Sequence, residues 1–349
     1  MDALAGTTLI ACVGFFGGIL LGLAARLGRF CTLGAIEDLL YGGSDTRLRM
    51  WGVALGTAIL GTFGLMAAGL LDPAQTFYLT SGFSPLASIG GGLLFGYGMA
   101  LAGNCGFGAL ARLGGGDLRS FVIVIVMAIA AAMTIGGPLA YLRVWIFPVE
   151  AELAPRGLAD ILGDATGTGP LVWGVFAGLA CLATAFGSTD FRRRKAAMIW
   201  ATVAGIAIVS GWAGTQWVAD YSFNATRVVS HTYSGPLSDT VLYAMTASGS
   251  TLTFGVGSVM GVLAGAFIGS LIKGHFRWEA CDDPRELRRQ ILGAAMMGVG
   301  AVVAAGCSVG QGLSAFSLLA VSAPVTLVSI GIGAALGLKF LILGIRSTP

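Results

Sequence analysis

Two cysteines, Cys105 and Cys307, sit in matching frames: Gly103-Asn104-Cys105-Gly106 followed by Gly108, and Gly306-Cys307-Ser308 followed by Gly310. A thiol is a weak donor and a weak acceptor, and flanking glycines free the backbone for unusual angles and close ligand approach. Such a group suits transient contact with a soft, sulfur-bearing ligand better than tight capture. Metal chemistry is poorly supplied, because the six cysteines (12, 31, 105, 181, 281 and 307) contain no CxxC pair and His231 and His275 are the only histidines. No metal, haem or other cofactor is expected, and no disulfide framework.

The elements that carry these cysteines belong in a membrane. Of the residues, 56% are hydrophobic and 11% charged, where soluble proteins carry roughly a quarter charged. The net charge of +3 is too small to point to a nucleic-acid partner. A helix needs about 20 apolar residues to cross a hydrocarbon core of ~30 Å. Nine segments qualify: 8–25, 48–71, 85–103, 120–142, 170–188, 196–218, 247–272, 290–306 and 324–345. The predicted class is an all-α polytopic membrane protein of about nine transmembrane helices plus short re-entrant helices. Met1-Asp2 lacks a basic start, so no cleavable signal is expected.

Basic residues concentrate on the cytoplasmic side of membrane proteins. With the N-terminus outside and the C-terminus cytoplasmic, all of the 20 Lys and Arg fall inside except Arg143, Arg156 and Arg227. The loop 144–169, with Glu150, Glu152, Asp160 and Asp164, is then the main acidic outside segment.

Sliding the chain against itself by 202 residues lays Gly91, Gly96, Gly98, Ala102, Cys105 and Gly108 over Gly293, Gly298, Gly300, Ala304, Cys307 and Gly310. The reading is an internal repeat: 1–143 as a first unit of four spans, 144–195 as an outside loop and linking span, and 196–349 as a second unit of four spans. One linking span makes the second unit inverted, the plan in which substrate sites lie near the bilayer midplane at broken helices. The pieces 107–113 and 309–319 are too short to span and read as half-helices, whose free N–H groups can face an anion.

The other cysteines carry less. Cys12 and Cys181 lie in ordinary spans and read as small, inert hydrophobes, and Cys281 is incidental in a charged segment. Cys31, in Gly28-Arg29-Phe30-Cys31-Thr32, precedes a segment ending Glu37-Asp38-Leu39-Leu40. That segment is either an amphipathic surface turn or a piece folded back to line a cytoplasmic vestibule. The corresponding stretch 219–246 is expected outside, with His231 either a satisfied loop histidine or part of a polar mouth. The run from Arg192 to Lys195 reads as a topology anchor. Apart from span ends, the apolar cores hold no Asp, Glu, Lys, Arg or His, which leaves no obvious proton relay or sodium site.

Gly28-Arg29-Phe30-Cys31, then GYGMALAGNCGFGALARLGGGDLRS from Gly96 and FRWEACDDPRELRRQILGAAMMGVGAVVAAGCSVGQGLS from Phe276, resemble the YeeE/YedE sulfur-transport family over essentially the whole chain. The resemblance implies an hourglass-shaped helical protein that imports thiosulfate, or a closely related sulfur anion, across a bacterial inner membrane along a cysteine-lined path, by S–H···S hydrogen bonds. It implies Cys105 and Cys307 as the central pair and Cys31 as a further site toward the cytoplasm. The predicted path also takes in Asn104, Gly106, Gly306, Ser308 and Gln311. Asn104 stands where a glycine or alanine is common in the family, and Ala305 where a glycine is frequent. The expected partners are the sulfur anion and the lipid bilayer, and a cytoplasmic sulfur-carrier protein is a candidate. The competing readings are a membrane thiol oxidoreductase, a transporter of another sulfur or selenium species, and a structural subunit. Absence of CxxC, and of a charged group able to lower a thiol pKa at membrane depth, weighs against the enzyme.

Overall fold

The computed structural model describes residues 2–148, 157–221, 227–280 and 283–346. Glu150, Glu152, Arg156 and Cys281 lie outside the described residues. In chain order the helices are α1 (Asp2–Gly28), α2 (Thr32–Leu40), α3 (Thr46–Ala67), α4 (Phe77–Thr80), α5 (Pro85–Ala102), α6 (Gly106–Leu113), α7 (Leu118–Ile135) and α8 (Pro138–Ile146). They continue with α9 (Leu158–Thr166), α10 (Pro170–Phe186), α11 (Thr189–Arg193), α12 (Lys195–Tyr221), α13 (Gly235–Thr246), α14 (Phe254–Ile272), α15 (Pro284–Val303) and α16 (Ser322–Arg346). Among the described residues extended backbone makes only isolated bridges, so the protein is all-α.

Among the described residues seven helical segments are long and apolar enough to cross a bilayer, and the pair α9 and α10, bent by 119°, makes an eighth where it is taken as one broken span. The ninth expected crossing, 290–306, is the helix α15, whose first turns carry Arg285, Glu286, Arg288 and Arg289 and so fall short on composition. Large apolar side chains such as Phe16, Phe176, Val328 and Phe340 stand exposed on the helix exteriors, as lipid contact requires. The span expected over 120–142 is broken: α7 ends at Ile135, and Gly136-Gly137-Pro138 starts α8, because proline suits a first helical turn and not an interior.

Small residues decide how the helices meet. Backbone carbonyls of Ala11, Phe15 and Ile19 on α1 lie directly against Gly257, Gly261 and Gly265 of α14. In lipid, where apolar side chains gain little by leaving the solvent, such close backbone approach supplies the packing. α5 is the hub, lying against both α15 and α16. There Gly91 faces Gly300 and Gly98 faces Gly293: a Cβ on Gly98 would stand 2.6 Å from the Gly293 carbonyl oxygen, and one on Gly91 2.7 Å from that of Gly300. Other contacts join α1 to α12, α3 to α12, α7 to α15, α7 to α13 and α2 to α16.

Gly98→Val and Gly293→Val each force the α5–α15 crossing apart. An overpacking cost of about 1–3 kcal/mol per site is expected to lower the thermal midpoint of the detergent-solubilised protein, as read by fluorescence-detected size exclusion. An unchanged midpoint in both would show that the crossing is not tight.

Candidate functional site

Three helical turns start on a cysteine inside the protein. Cys31 precedes α2 and its Sγ accepts the Gly34 N–H at 3.5 Å; Cys105 precedes α6 and accepts from Gly108 at 3.4 Å. Cys307 accepts from Gly310 at 3.4 Å, just ahead of the wide π-helical turn Gly310–Ala315. Each is a C-x-x-G frame, with glycine at the third helical position and the sulfur in the place a serine or aspartate oxygen normally takes at a helix start. At Gly310 a side chain would meet Thr232 Oγ1 and stand 2.8 Å from the Tyr78 hydroxyl, so glycine is what lets these groups gather.

Cys105 and Cys307 are each 1% exposed, while Cys31 is half-buried. Cys105 lies within electrostatic reach of Cys31, Ser308 and Cys307. Cys307 is the best furnished: besides Gly310, the Tyr233 N–H donates to its sulfur at 3.4 Å and Thr232 Oγ1 lies 3.7 Å away. A sulfur that accepts backbone N–H groups keeps its own hydrogen free to donate onward.

Two openings approach this group from opposite ends. One is a cavity of about 550 Å³ that includes Cys31, Asn104 and Gly108 in its wall together with Arg26, Arg29, Arg47, Arg112, Lys273 and His275. At the other end are cavities of about 300 and 100 Å³, which share Tyr78, Arg143, Val302 and Ala305. Among the described residues no carboxylate pairs with Arg143, and its Nε is buried without a partner. Between the two ends the rings of Phe107 and Tyr233 pack with centroids 5.3 Å apart, and both side chains are fully buried.

The polar inventory between the cavities is unusual. Asn104 is 1% exposed, yet neither its Oδ1 nor its Nδ2 has a hydrogen-bond partner. Ser308 Oγ is buried within reach of the Cys105 thiol and has no other polar partner. Orphaned groups of this kind cost about 1–3 kcal/mol each in a dry interior, so they mark a place where something polar belongs.

Of the predicted path residues, Cys31 and Asn104 line the large cavity, while Cys105, Cys307 and Ser308 are buried beyond it and line none of the cavities. Gly106 packs tightly beneath them: a Cβ there would lie 2.7 Å from Met127 Sδ. Gln311 is fully engaged within the protein. Its Nε2 donates to the carbonyls of Ala304 (2.9 Å) and Ala305 (3.2 Å), and its Oε1 accepts from Ser322 Oγ at 3.2 Å. It clamps the break before Cys307, against which Gly306 also packs. That break is strained, because Ala305 stands at φ 53, the left-handed region in which its repeat mate Gly103 sits at φ 77.

The segment after Cys31 is resolved in favour of the vestibule, since Thr32, Leu33, Gly34 and Ala35 are buried and Cys31, Leu33, Gly34 and Glu37 line the large cavity. The stretch 219–246, expected as an outside loop, is largely structured among its described residues. Residues 228 to 234 run through the interior, with Val228, Ser230, His231, Tyr233 and Ser234 buried, and α13 follows. His231 is 0% exposed. Its Nδ1 shares a hydrogen bond of 2.7 Å with Ser258 Oγ, which donates to the Tyr233 hydroxyl at 3.2 Å. Ser314 Oγ donates to the His231 carbonyl at 2.6 Å, which ties this segment to the turn after Cys307.

The model of the family described as sulphur transport matches residues 27–336. The chain belongs to this sulphur-transport family. Among curated proteins, it is similar to the thiosulfate transporter TsuA of Escherichia coli (strain K12), 26% identical over 318 residues and 86% of each chain. It is also similar to the thiosulfate transporter TsuA of Spirochaeta thermophila, 23% identical over 325 residues, covering 88% of this chain and 92% of that one.

For this sulphur-transport family member, sequence reasoning missed Tyr78, Phe107, Thr232 and Tyr233 as neighbours of the thiols, and Arg143 as the cation of the cavities that Tyr78 also lines. One signal was available. The offset of 202 that pairs Cys105 with Cys307 also pairs Cys31 with Tyr233. The third C-x-x-G frame, at Cys31, was a second such signal.

Ala305→Gly relieves a left-handed conformation that costs an L-residue about 1–2 kcal/mol. After the added chain entropy of glycine, a net gain of roughly 1 kcal/mol and a higher thermal midpoint are expected, while Gly103→Ala should lower it. Thermal melts of both purified variants check the pair, and equal shifts of the same sign would contradict the assignment.

Proposed function

We propose that this chain imports thiosulfate, or a closely related sulfur-containing anion, across a bacterial inner membrane through a central path on which Cys31, Cys105 and Cys307 lie. The observation that carries the reading is that the Cys31, Cys105 and Cys307 sulfurs each cap a helix start inside the protein, between a cation-lined cavity whose wall holds Cys31 and the buried, unpartnered Asn104 and a second cavity whose wall holds Thr232, a neighbour of Cys307. Passage then consists of short hops. A helix N-terminus and an S–H group at each cysteine hold the ion weakly enough to release it, as conduction requires. The names of the two relatives supply the passenger. On this reading the protein catalyses no reaction, and a cytoplasmic sulfur-carrier protein is the candidate acceptor.

The same proposal takes the chain as an inverted repeat of 1–143 and 196–349 joined through 144–195, with the N-terminus outside and the C-terminus cytoplasmic. Contacts support it in pairs that interchange under the 202-residue offset. α1 meets α14 as α12 meets α3, α5 meets α16 as α15 meets α7, and Gly91 meets Gly300 as Gly293 meets Gly98. In this orientation Arg143 stands at the outer mouth as the cation that first meets the ion, and the large cavity opens to the cytoplasm.

Two experiments test the reading. In a bacterium stripped of its own sulfate and thiosulfate uptake, the wild-type chain should restore growth on thiosulfate as sole sulfur source. Cys105→Ala and Cys307→Ala should each abolish it at normal protein levels. Failure of the wild type sinks the thiosulfate assignment, and unimpaired growth of the cysteine variants sinks the thiol path. In reconstituted vesicles, Arg143→Gln should raise the KM for external thiosulfate about tenfold, equivalent to ~1.4 kcal/mol, with less effect on the maximal rate. A KM equal to that of the wild type would remove Arg143 from the mouth.

A further inference from the structure

We infer that the large cation-lined vestibule is an oxyanion site in its own right. In this inference it binds hard tetrahedral dianions such as sulfate from the aqueous side onto which it opens, and an occupant there slows the delivery of the sulfur anion. The inference rests on the transport reading above for its inhibitory consequence, but not for the binding itself.

The vestibule holds more positive charge than its surroundings balance. Glu37 is the carboxylate in its wall, and the Asp38 carboxylate pairs with Arg47 at 3.2 Å. Arg26 is turned aside to Ser270 by a 2.7 Å hydrogen bond from its Nε, and Lys273 Nζ caps the end of α1 at the Arg26 and Leu27 carbonyls. Among the described residues the side chains of Arg29, Arg112 and His275 have neither an ion-pair partner nor a hydrogen bond.

Three further observations mark the charge as uncompensated and the cavity as built for a ligand. Arg29 is held at φ 58, and a bulky residue persists in that left-handed region only where its surroundings impose it. Burial first, and the charges of Arg29 and Arg26 next, hold Lys273 below the ordinary lysine range. The Asn104 amide, 1% exposed and without a partner on either atom, forms part of the same wall.

Guanidinium and ammonium groups recognise charge and oxygen geometry, which sulfate and thiosulfate share. Only the thiols beyond them favour a soft sulfur. Affinity and selectivity are therefore separated along the path, and a hard oxyanion can fill the vestibule without passing further. Its seat lies against Cys31, the thiol that would hand over an arriving ion. The opposite cavities, lined by Arg143 as their one cation among the described residues, offer no comparable trap.

The test uses sodium sulfate against detergent-purified protein by isothermal titration, with sodium chloride at matched ionic strength as the control. Saturable sulfate binding is expected, weakened at least tenfold in the double variant Arg29→Gln/Arg112→Gln. It should be retained in Arg29→Lys/Arg112→Lys, which keeps the charge, and in Arg192→Gln, a surface control. Initial thiosulfate uptake into vesicles loaded with sulfate should fall to less than half of that into chloride-loaded vesicles, and the Gln double variant should lose the difference. Sulfate binding that is absent, or indifferent to the Gln pair, overturns the site. Arginine-dependent binding with equal uptake into both kinds of vesicle overturns the inhibition. Arginine-dependent sulfate binding by a wild type that moves no thiosulfate supports the site and overturns the transport reading instead.

Discussion

A helix that begins at membrane depth exposes backbone N–H groups to a medium with no water to bind them. Here the exposed amides of Gly34, Gly108 and Gly310 are met by thiol sulfur. The choice of acceptor constrains everything around it. An aspartate would cap more strongly but would repel an anion and cost several kcal/mol to bury unpaired. A serine would cap without charge but would present a hard oxygen. A thiol caps weakly, stays neutral, and leaves the helix N-terminal field available to a passing negative charge.

Weak caps need a rigid surround, and the glycine crossing of α5 and α15 provides one. Because these two helices run antiparallel and touch backbone to backbone at Gly91 with Gly300 and Gly98 with Gly293, the breaks at their C-terminal ends are held at opposite ends of the crossing, Gly103 and Asn104 in the wall of the large cavity and Ala305 in that of the opposite ones. The breaks themselves are fixed differently in the two halves. Gly103 enters the left-handed region freely, whereas Ala305 is held there while Gln311 clamps the carbonyls of Ala304 and Ala305. The buried run from Val228 to Ser234 adds Thr232 and the Tyr233 amide to the second thiol. Equivalent sequence frames thus give inequivalent surroundings, and Cys307 has more donors aimed at it than Cys105.

Much of this was legible from residue order, for physical reasons. Apolar runs of membrane-spanning length betray themselves by composition, and the broken helices announce themselves through Gly103, Gly106 and Gly306. The break inside 120–142 was missed because Gly136-Gly137-Pro138 is apolar enough to pass a hydropathy window, although proline rarely continues a helix. The span expected over 290–306 begins too late because Arg285 to Arg289 are charged and fall outside an apolar window, yet they form the first turns of the same helix, α15, beneath an Asp283 cap. His231 could not be placed, since a polar stretch between spans reads as solvent-facing. Its burial follows from contacts with Ser258 and Ser314 that lie far away in sequence. The charge count set Arg143 apart only as one of three basic residues outside, and nothing in its local sequence marked its place in the wall of the two smaller cavities.

The packed rings of Phe107 and Tyr233 have a bioenergetic consequence. Their centroids lie 5.3 Å apart, which leaves no room for an ion between them, so the cavities do not communicate at this point. Each elementary charge that leaks across a membrane dissipates about 2.3 kcal/mol per 100 mV of potential. A pore left open at this point would discharge the gradient that energises the cell. On the transport reading proposed above, a closed aromatic pair lets the protein reside in a coupled membrane without short-circuiting it, and an ion passes only when these rings part.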